Sequence, residues 1–347
     1  MAGRTVSFTS FNLLNLNEPG QRIYNDRDGW DQDIYDKKIE WTARMLQVMQ
    51  ADVFGFQELW DTRSLQNAVD QAGLSVSHQV LSPPDHRGAR IICAAAVARD
   101  MLVGEPEWIE DFPEGFILRS GGDDSQTGDI DVRINSFSRP VLHFRIKPRD
   151  NAPEILVYVC HFKSKSPTRI FREGWYRDND EFYKRHTEGI GAGLSTIRRT
   201  AEATALRMIL TEKMKGTDTP VVVLGDCNDG QHSNTLNIMT GQPRFLTALS
   251  TGGGDIDLYA AQTLQQYRSQ RDVYYTHVFQ DMRESLDHIL VSQEFYDNSR
   301  KRIWAFDGLE INNDHLNIDD HKLSGTGDHG IIRARFKYRP ADGAVLV

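Results

Sequence analysis

Val221-Val-Val-Leu-Gly-Asp-Cys-Asn-Asp229 is the stretch on which the reading of this chain turns. Four consecutive apolar residues predict a short buried strand. Gly225 allows a close backbone approach, and Asp226 and Asn228, two residues apart, point to the same side. An acid and an amide set side by side suit one task. The carboxylate orients or deprotonates a water, and the amide donates to a phosphoryl oxygen as charge develops. Taken alone, Gly-Asp-x-Asn is equally a turn composition, because all its residue types favour turns.

Working outward, the flanking segments repeat the pattern of an apolar run that ends in polar chemistry. Upstream, Ile197–Lys215 has the spacing of a long helix closed by Gly216 and Pro220. Before it, Tyr158-Val-Cys-His161-Phe-Lys163-Ser-Lys165 ends a strand in a histidine and two lysines, a phosphate-binding composition. Downstream, Ser285-Leu-Asp287-His288 supplies an acid at a strand start, able to hold an imidazole in one tautomer. Gly325-Thr-Gly-Asp328-His329-Gly330 packs an acid and a histidine into a glycine-rich turn. Near the N-terminus, Val53-Phe-Gly-Phe-Gln-Glu58 delivers a carboxylate, a hard-oxygen ligand for Mg²⁺. Val6–Leu14, Ala89–Arg99, Arg139–Lys147, Ile155–Phe162, Leu286–Ser292 and Ile331–Tyr338 read as further strands, Tyr35–Gln50 and Leu65–Ala72 as helices. Asn12, Glu58, His161, Asp226, Asp287 and His329 all lie in or at the ends of such runs, so a rigid scaffold is expected to aim them at one place.

Composition narrows the class. In 347 residues, 39% hydrophobic and 26% charged is the balance of a globular domain, and no linker divides the chain. One domain over 1–347 is expected, with a long insertion at about 166–193. A net charge of −9 argues against a basic coat, yet residues 163–200 carry nine Lys/Arg against five Asp/Glu, where a polyanion is expected if one binds. The three cysteines read as small buried hydrophobes, no apolar run reaches membrane-helix length, and the first residues lack a leader pattern. A cytoplasmic protein without membrane association is therefore expected.

Asn12, Gln57-Glu58, His161-x-Lys163-Ser-Lys165, Gly225-Asp226-x-Asn228, Asp287 and Asp328-His329, in this chain order, resemble the endonuclease/exonuclease/phosphatase superfamily. The resemblance implies an α/β fold, a four-layer α-β-β-α sandwich of two packed mixed β-sheets with the site at one edge. It implies Mg²⁺ or Mn²⁺ as cofactor, with Glu58 the principal ligand aided by Asn12 and Asp328. His329 is then the general base or the transition-state partner of the phosphate, oriented by Asp287. Asp226 positions or deprotonates the attacking water, and Asn228 and His161 bind non-bridging oxygens. Arg139, Lys163 and Lys165 are the candidate phosphate-binding cations.

Within the superfamily, His-Phe-Lys-Ser-Lys, the arginine-bearing helix Arg198–Ala205, Gly-Asp-x-Asn-Asp and Leu-Asp-His are most similar to bacterial non-specific and extracellular-type nucleases. The expectation is thus a metal-dependent phosphodiesterase, a nuclease acting on DNA or RNA. Two alternatives stay open: a hydrolase of a small phosphoester, and an inactive binding member of the fold. In the insertion, Phe171, Trp175, Tyr176, Phe182 and Tyr183 among arginines suit base stacking, or equally the private core of a lid. His277 reads as structural or as lying near the site, and the acidic loop Asp314–His321 as a solvated loop or a second metal site.

Overall fold

The computed structural model describes residues 5–24, 28–121, 128–241, 254–269, 275–280, 282–317 and 320–342. Two six-stranded sheets dominate. From edge to edge, the first holds Trp304–Asn312, Ile331–Tyr338, Thr5–Leu16, Val53–Asp61, Arg87–Ala98 and His78–Leu81. The second holds Tyr259–Ala260, Asp287–Val291, Val221–Asp226, Ile155–His161, Ser136–Ile146 and Leu102–Asp111. Both are mixed: Thr5–Leu16 runs parallel to Val53–Asp61 but antiparallel to Ile331–Tyr338, and Val221–Asp226 runs parallel to Ile155–His161 but antiparallel to Asp287–Val291.

Period-2 alternation builds the layers. Cys93, Ala95 and Val97 of one strand, with Val222 and Leu224 of another, share the core between the sheets. Their alternates Ile92, Ala94 and Ala96 face the helices Gln32–Met49 and Thr62–Gln71, whereas Val221 and Val223 face the long helix Thr187–Met214. Strands covered on both faces read as continuous apolar runs, as Val221–Leu224 does. The sheets close tightly at Gly55, where a Cβ would stand 3.0 Å from Leu224 Cδ1 and 3.1 Å from Val159 Cγ2. The architecture is the expected sandwich, helix on sheet on sheet on helix.

Two sequence expectations need adjustment. The long helix starts at Thr187, ten residues ahead of Ile197, and so takes up the end of the 166–193 segment. Gly189, Gly191 and Gly193 hide its first turns, since glycine lowers helix propensity by ~1 kcal/mol per residue. Gly191 is needed there: a Cβ would stand 2.5 Å from the Thr168 carbonyl oxygen. The acidic loop is not simply solvated either, because His315 is buried and its Nε2 lies 2.8 Å from the His329 carbonyl; Asp319 lies outside the described residues.

Candidate active site

Register sets the first row of the site. In the second sheet Asp226 is paired with His161 on one side and Asp287 on the other, so three polar residues stand abreast at the sheet end. Each has its own bond. The Asn228 backbone N–H donates to Asp226 Oδ1 at 2.8 Å, and His161 Nε2 lies 3.4 Å from Asp226 Oδ2. Asp287 Oδ2 holds His329 Nδ1 at 2.8 Å, and His329 Nε2 faces Asp226 Oδ2 at 3.9 Å. Asn228 Nδ2 donates to the Phe162 carbonyl at 3.1 Å.

The first sheet contributes the opposing side. Asn12 Nδ2 donates across the sheets to Asp226 Oδ2 at 3.2 Å, and its Oδ1 accepts from Leu14 N–H at 3.0 Å. The pairing of Thr5–Leu16 with Val53–Asp61 slips between Asn12 and Leu16, and Leu14, Asn15 and Glu58 take left-handed backbone there, with φ of 46°, 54° and 61°. Such conformations cost of order 1–3 kcal/mol each and cluster at functional sites. The bulge turns Glu58 inward: its Oε2 accepts from Asn15 N–H at 3.1 Å, while its Oε1 faces His161 Nε2 at 3.9 Å.

Electrostatics divide the roles. Burial raises Glu58, and the neighbouring Asp328 raises it further. Burial also lifts Asp226 to about 7, offset in part by His329. Burial opposes protonation of His329, but the Asp287 and Asp226 carboxylates overcome it and hold the imidazole well above its ordinary range. His161 goes the other way: burial, then Arg139 and His329, keep it neutral. One imidazole is cationic and one neutral, on either side of the same carboxylate.

The cations expected at the phosphate are arranged less simply. Arg139 Nη1 donates to the Phe162 carbonyl at 3.4 Å, and its charge is felt by Glu58 and His161. Lys163 Nζ turns back onto Ser164 Oγ at 3.2 Å and the Ser166 carbonyl at 3.1 Å. Lys165 pairs with Glu284 at 2.7 Å and approaches Asp229 at 3.7 Å.

Some contributors were not singled out in the sequence. Glu202 on the long helix is buried and accepts from the backbone N–H of Lys163 at 2.7 Å and of Ser138 at 2.8 Å, so it orders the backbone at Lys163 and next to Arg139. Thr276 Oγ1 accepts from the N–H groups of Leu286 and Asp287, while its carbonyl takes the Gly330 N–H at 2.7 Å. It thereby joins the Asp287 and His329 segments. Next to it, His277, which the sequence did single out, bridges to His329, the rings 5.0 Å apart. Lys38 is buried on the core stripe of Gln32–Met49, where a lysine is a legible anomaly. Burial lowers it to about 8 against the pull of Asp328 and Glu58.

A buried acid–imidazole row thus faces an inward-turned glutamate on a fold shared by metal-dependent phosphoesterases. The Endonuclease/Exonuclease/phosphatase family pattern matches residues 9–329, and the chain belongs to that family, whose members use a divalent metal. Comparison with curated proteins returns no match. Among solved structures, the chain is similar to truncated TDP2 of Caenorhabditis elegans (13% identity, 96% of this chain and 98% of that one, TM-score 0.54). It is also similar to the human Nocturnin catalytic domain with bound sulfate (15%, 96% and 95%, 0.54). A mannosyl-6-phosphatase of Bacteroides thetaiotaomicron likewise shares the fold (15%, 99% and 99%, 0.50). These neighbours span different kinds of protein, so the expected kinship with bacterial non-specific nucleases finds no particular support in them. Among the described residues no helix is long and apolar enough to cross a membrane.

Proposed function

We propose that this chain is a Mg²⁺- or Mn²⁺-dependent phosphodiesterase acting on nucleic acid, with DNA the first candidate. The observation that carries the chemistry is the Asp226 carboxylate, lifted to about 7 and flanked by a cationic His329 and a neutral His161. Glu58 and Asp328, with the Asn12 side-chain oxygen that also accepts from Leu14 N–H, would supply the oxygen-rich donor set that suits a hard divalent ion. Glu58 fits this role because Asn15 occupies only its Oε2. Asp226, Asp287 and His329 offer a second set of atoms within 4.8 Å of one another, but the 2.8 Å bond between Asp287 and His329 already commits two of these residues. When bound, the ion neutralises charge on the phosphoryl oxygens.

The side chains do the rest. Asp226, held by Asn12 and the Asn228 backbone, takes the proton of the attacking water; its position near 7 is where a base works best at neutral pH. His329 is already protonated, so it serves as the transition-state partner of the phosphate rather than as the base, donating from Nε2 while Asp287 fixes Nδ1. Asn228 keeps one amide N–H beyond its bond to Phe162 for a non-bridging oxygen. His161 Nδ1 is buried and has no partner among the described residues.

The polymer reading is supported by the segment after Lys165. Phe171, Trp175 and Phe182 are exposed there, and Arg172 lies 5.7 Å from the Phe171 ring. We read this segment as an insertion into one catalytic domain, in a cytoplasmic protein. A small phosphoester is the second reading, favoured by the ion pair of Lys165 with Glu284 and the inward fold of Lys163. The test is incubation with plasmid, single-stranded DNA and RNA under Mg²⁺, Mn²⁺ or EDTA, with Asp226→Ala as control. Metal-dependent degradation lost in the variant upholds the nuclease. Turnover of small phosphoesters alone replaces it with the second reading.

A further inference from the structure

The stripe of Gln32–Met49 that faces the core is formed by Tyr35, Ile39, Thr42, Ala43, Leu46 and Met49, and Lys38 lies among them, 2% exposed. Lysine is almost never this buried unless a partner compensates its charge. Its Nζ is seated 4.7 Å from the centre of the Trp30 ring, a cation–π contact. One turn further on, Trp41 contacts Phe11 edge-on and closes against Gly327, where a Cβ would stand 3.1 Å from the indole. Gly325 is pressed as closely to the same helix, where a Cβ would meet Lys37 Cβ at 2.6 Å and Lys38 N at 2.9 Å. The turn that carries Asp328 is therefore packed against the helix at Lys37, the Lys38 backbone and Trp41. The two carboxylates whose charge reaches Lys38 are Asp328 and Glu58. Trp30 completes the enclosure: its Nε1 donates to the Asn15 carbonyl at 2.8 Å, and Asn15 N–H holds Glu58 at 3.1 Å.

We propose that Lys38 is a resident cation of the metal centre, which balances one charge of the Glu58–Asp328 pair and limits the centre to a single divalent ion. The physical reason is charge density. Two carboxylates in a site of low dielectric repel each other strongly when no ion is bound, and a fixed ammonium relieves that repulsion. With that ammonium in place, a first divalent ion meets a pair already half neutralised. A second ion would meet a Glu58–Asp328 pair whose two charges are already exceeded by those of Lys38 and the first ion. Trp30 keeps the charge from swinging out to water, so the lysine acts as a permanent part of the centre.

The inference rests on the Glu58–Asp328 reading of the metal centre, and the test separates the two. Mn²⁺ is titrated into the full-length protein by calorimetry, with bound Mn²⁺ counted by electron paramagnetic resonance and melting followed in EDTA and in Mn²⁺. Wild type is expected to bind one ion. Lys38→Met is expected to melt lower in EDTA, to regain more stability from Mn²⁺, and to bind Mn²⁺ about tenfold tighter or to take a second ion. Lys38→Arg keeps the wild-type stoichiometry. If Lys38→Met does not fold, Lys38→Gln is titrated in its place. A neutral variant with unchanged affinity and stoichiometry overturns the proposal, as does a wild type that binds two ions. Glu58→Gln that binds Mn²⁺ like wild type removes the ligand reading beneath it. Loss of binding in Glu58→Gln, with no effect at Lys38, removes Lys38 alone.

Discussion

The row His161–Asp226–Asp287–His329 and the segment Phe171–His186, which lies between His161 and Asp226 in the chain, treat their side chains in opposite ways. The row is 0–7% exposed, and its acids and imidazoles are locked by bonds within the site. In the segment, Phe171, Trp175 and Phe182 are 43–50% exposed, and Trp175, Tyr183 and Phe182 contact mainly each other, at 4.9 and 5.1 Å. Bond-breaking chemistry needs fixed protonation states, which burial and close charges create. Recognition of a long substrate needs rings and cations that reach out. The two regions thus fail differently when altered, and mutations can separate them.

The largest effect is expected in the row. His329→Ala is predicted to lower kcat by at least ~10²-fold with the fold intact, as for loss of a positioned proton donor. Steady-state kinetics beside circular dichroism checks this; full activity would remove His329 from the mechanism. The comparison sharpens through pH. Turnover requires the Asp226–His329 pair to hold one proton, so kcat/KM rises as Asp226 ionises near 7 and falls once His329 loses its proton. Asp287→Asn removes the charge that holds His329 up, and the alkaline limb moves to lower pH. An unmoved limb would show that the limb is not set by His329.

Intermediate effects are expected at Glu202, which lies between the two regions. Glu202→Ala frees the backbone N–H groups of Ser138 and Lys163, and roughly a tenfold loss of kcat/KM is predicted, since each unmade buried bond costs ~1–3 kcal/mol. An equal loss of thermal stability without a change in kcat/KM would make Glu202 structural only. The smallest effect belongs to the exposed rings. Phe171→Ala with Trp175→Ala is predicted to weaken single-stranded DNA binding about tenfold, because stacking is worth ~1–3 kcal/mol per base. Hydrolysis of a small chromogenic phosphodiester should be unchanged. Equal loss on both substrates would break the division between chemistry and recognition.

Where strands are covered on both faces the sequence was plain. Val221–Leu224 and Val157–Cys160 had nowhere to go but inside, whereas Ile331–Tyr338 shows itself by alternation, with Ile332, Ala334 and Phe336 buried and Arg333 and Arg335 half-buried. Edge strands were harder to read. Leu102–Asp111 carries Gly104, Pro106 and three acids from Glu105 to Glu110, a composition that resembles a loop yet is tolerated because it borders the second sheet. Trp304–Asn312 borders the first sheet and slips register at Gly308, which breaks its alternation.

By itself, the sequence determined which residue types could serve phosphoryl chemistry and in what order they occur, because strand ends and turn glycines are local signals. It also indicated that Asp287 would hold an imidazole, since acid and histidine stood ready in short motifs. Only the tertiary structure decided which histidine is charged. Both histidines lie close to Asp226, but His329 is bonded to a second acid, Asp287, which with Asp226 outweighs its burial, whereas for His161 burial prevails, aided by the charge of Arg139. The same holds for Lys38, which feels the charges of Asp328 and Glu58, and for Thr276, whose carbonyl takes the Gly330 N–H. Charge state and enclosure are properties of what surrounds a group in space, and packing of the two sheets brings those surroundings together.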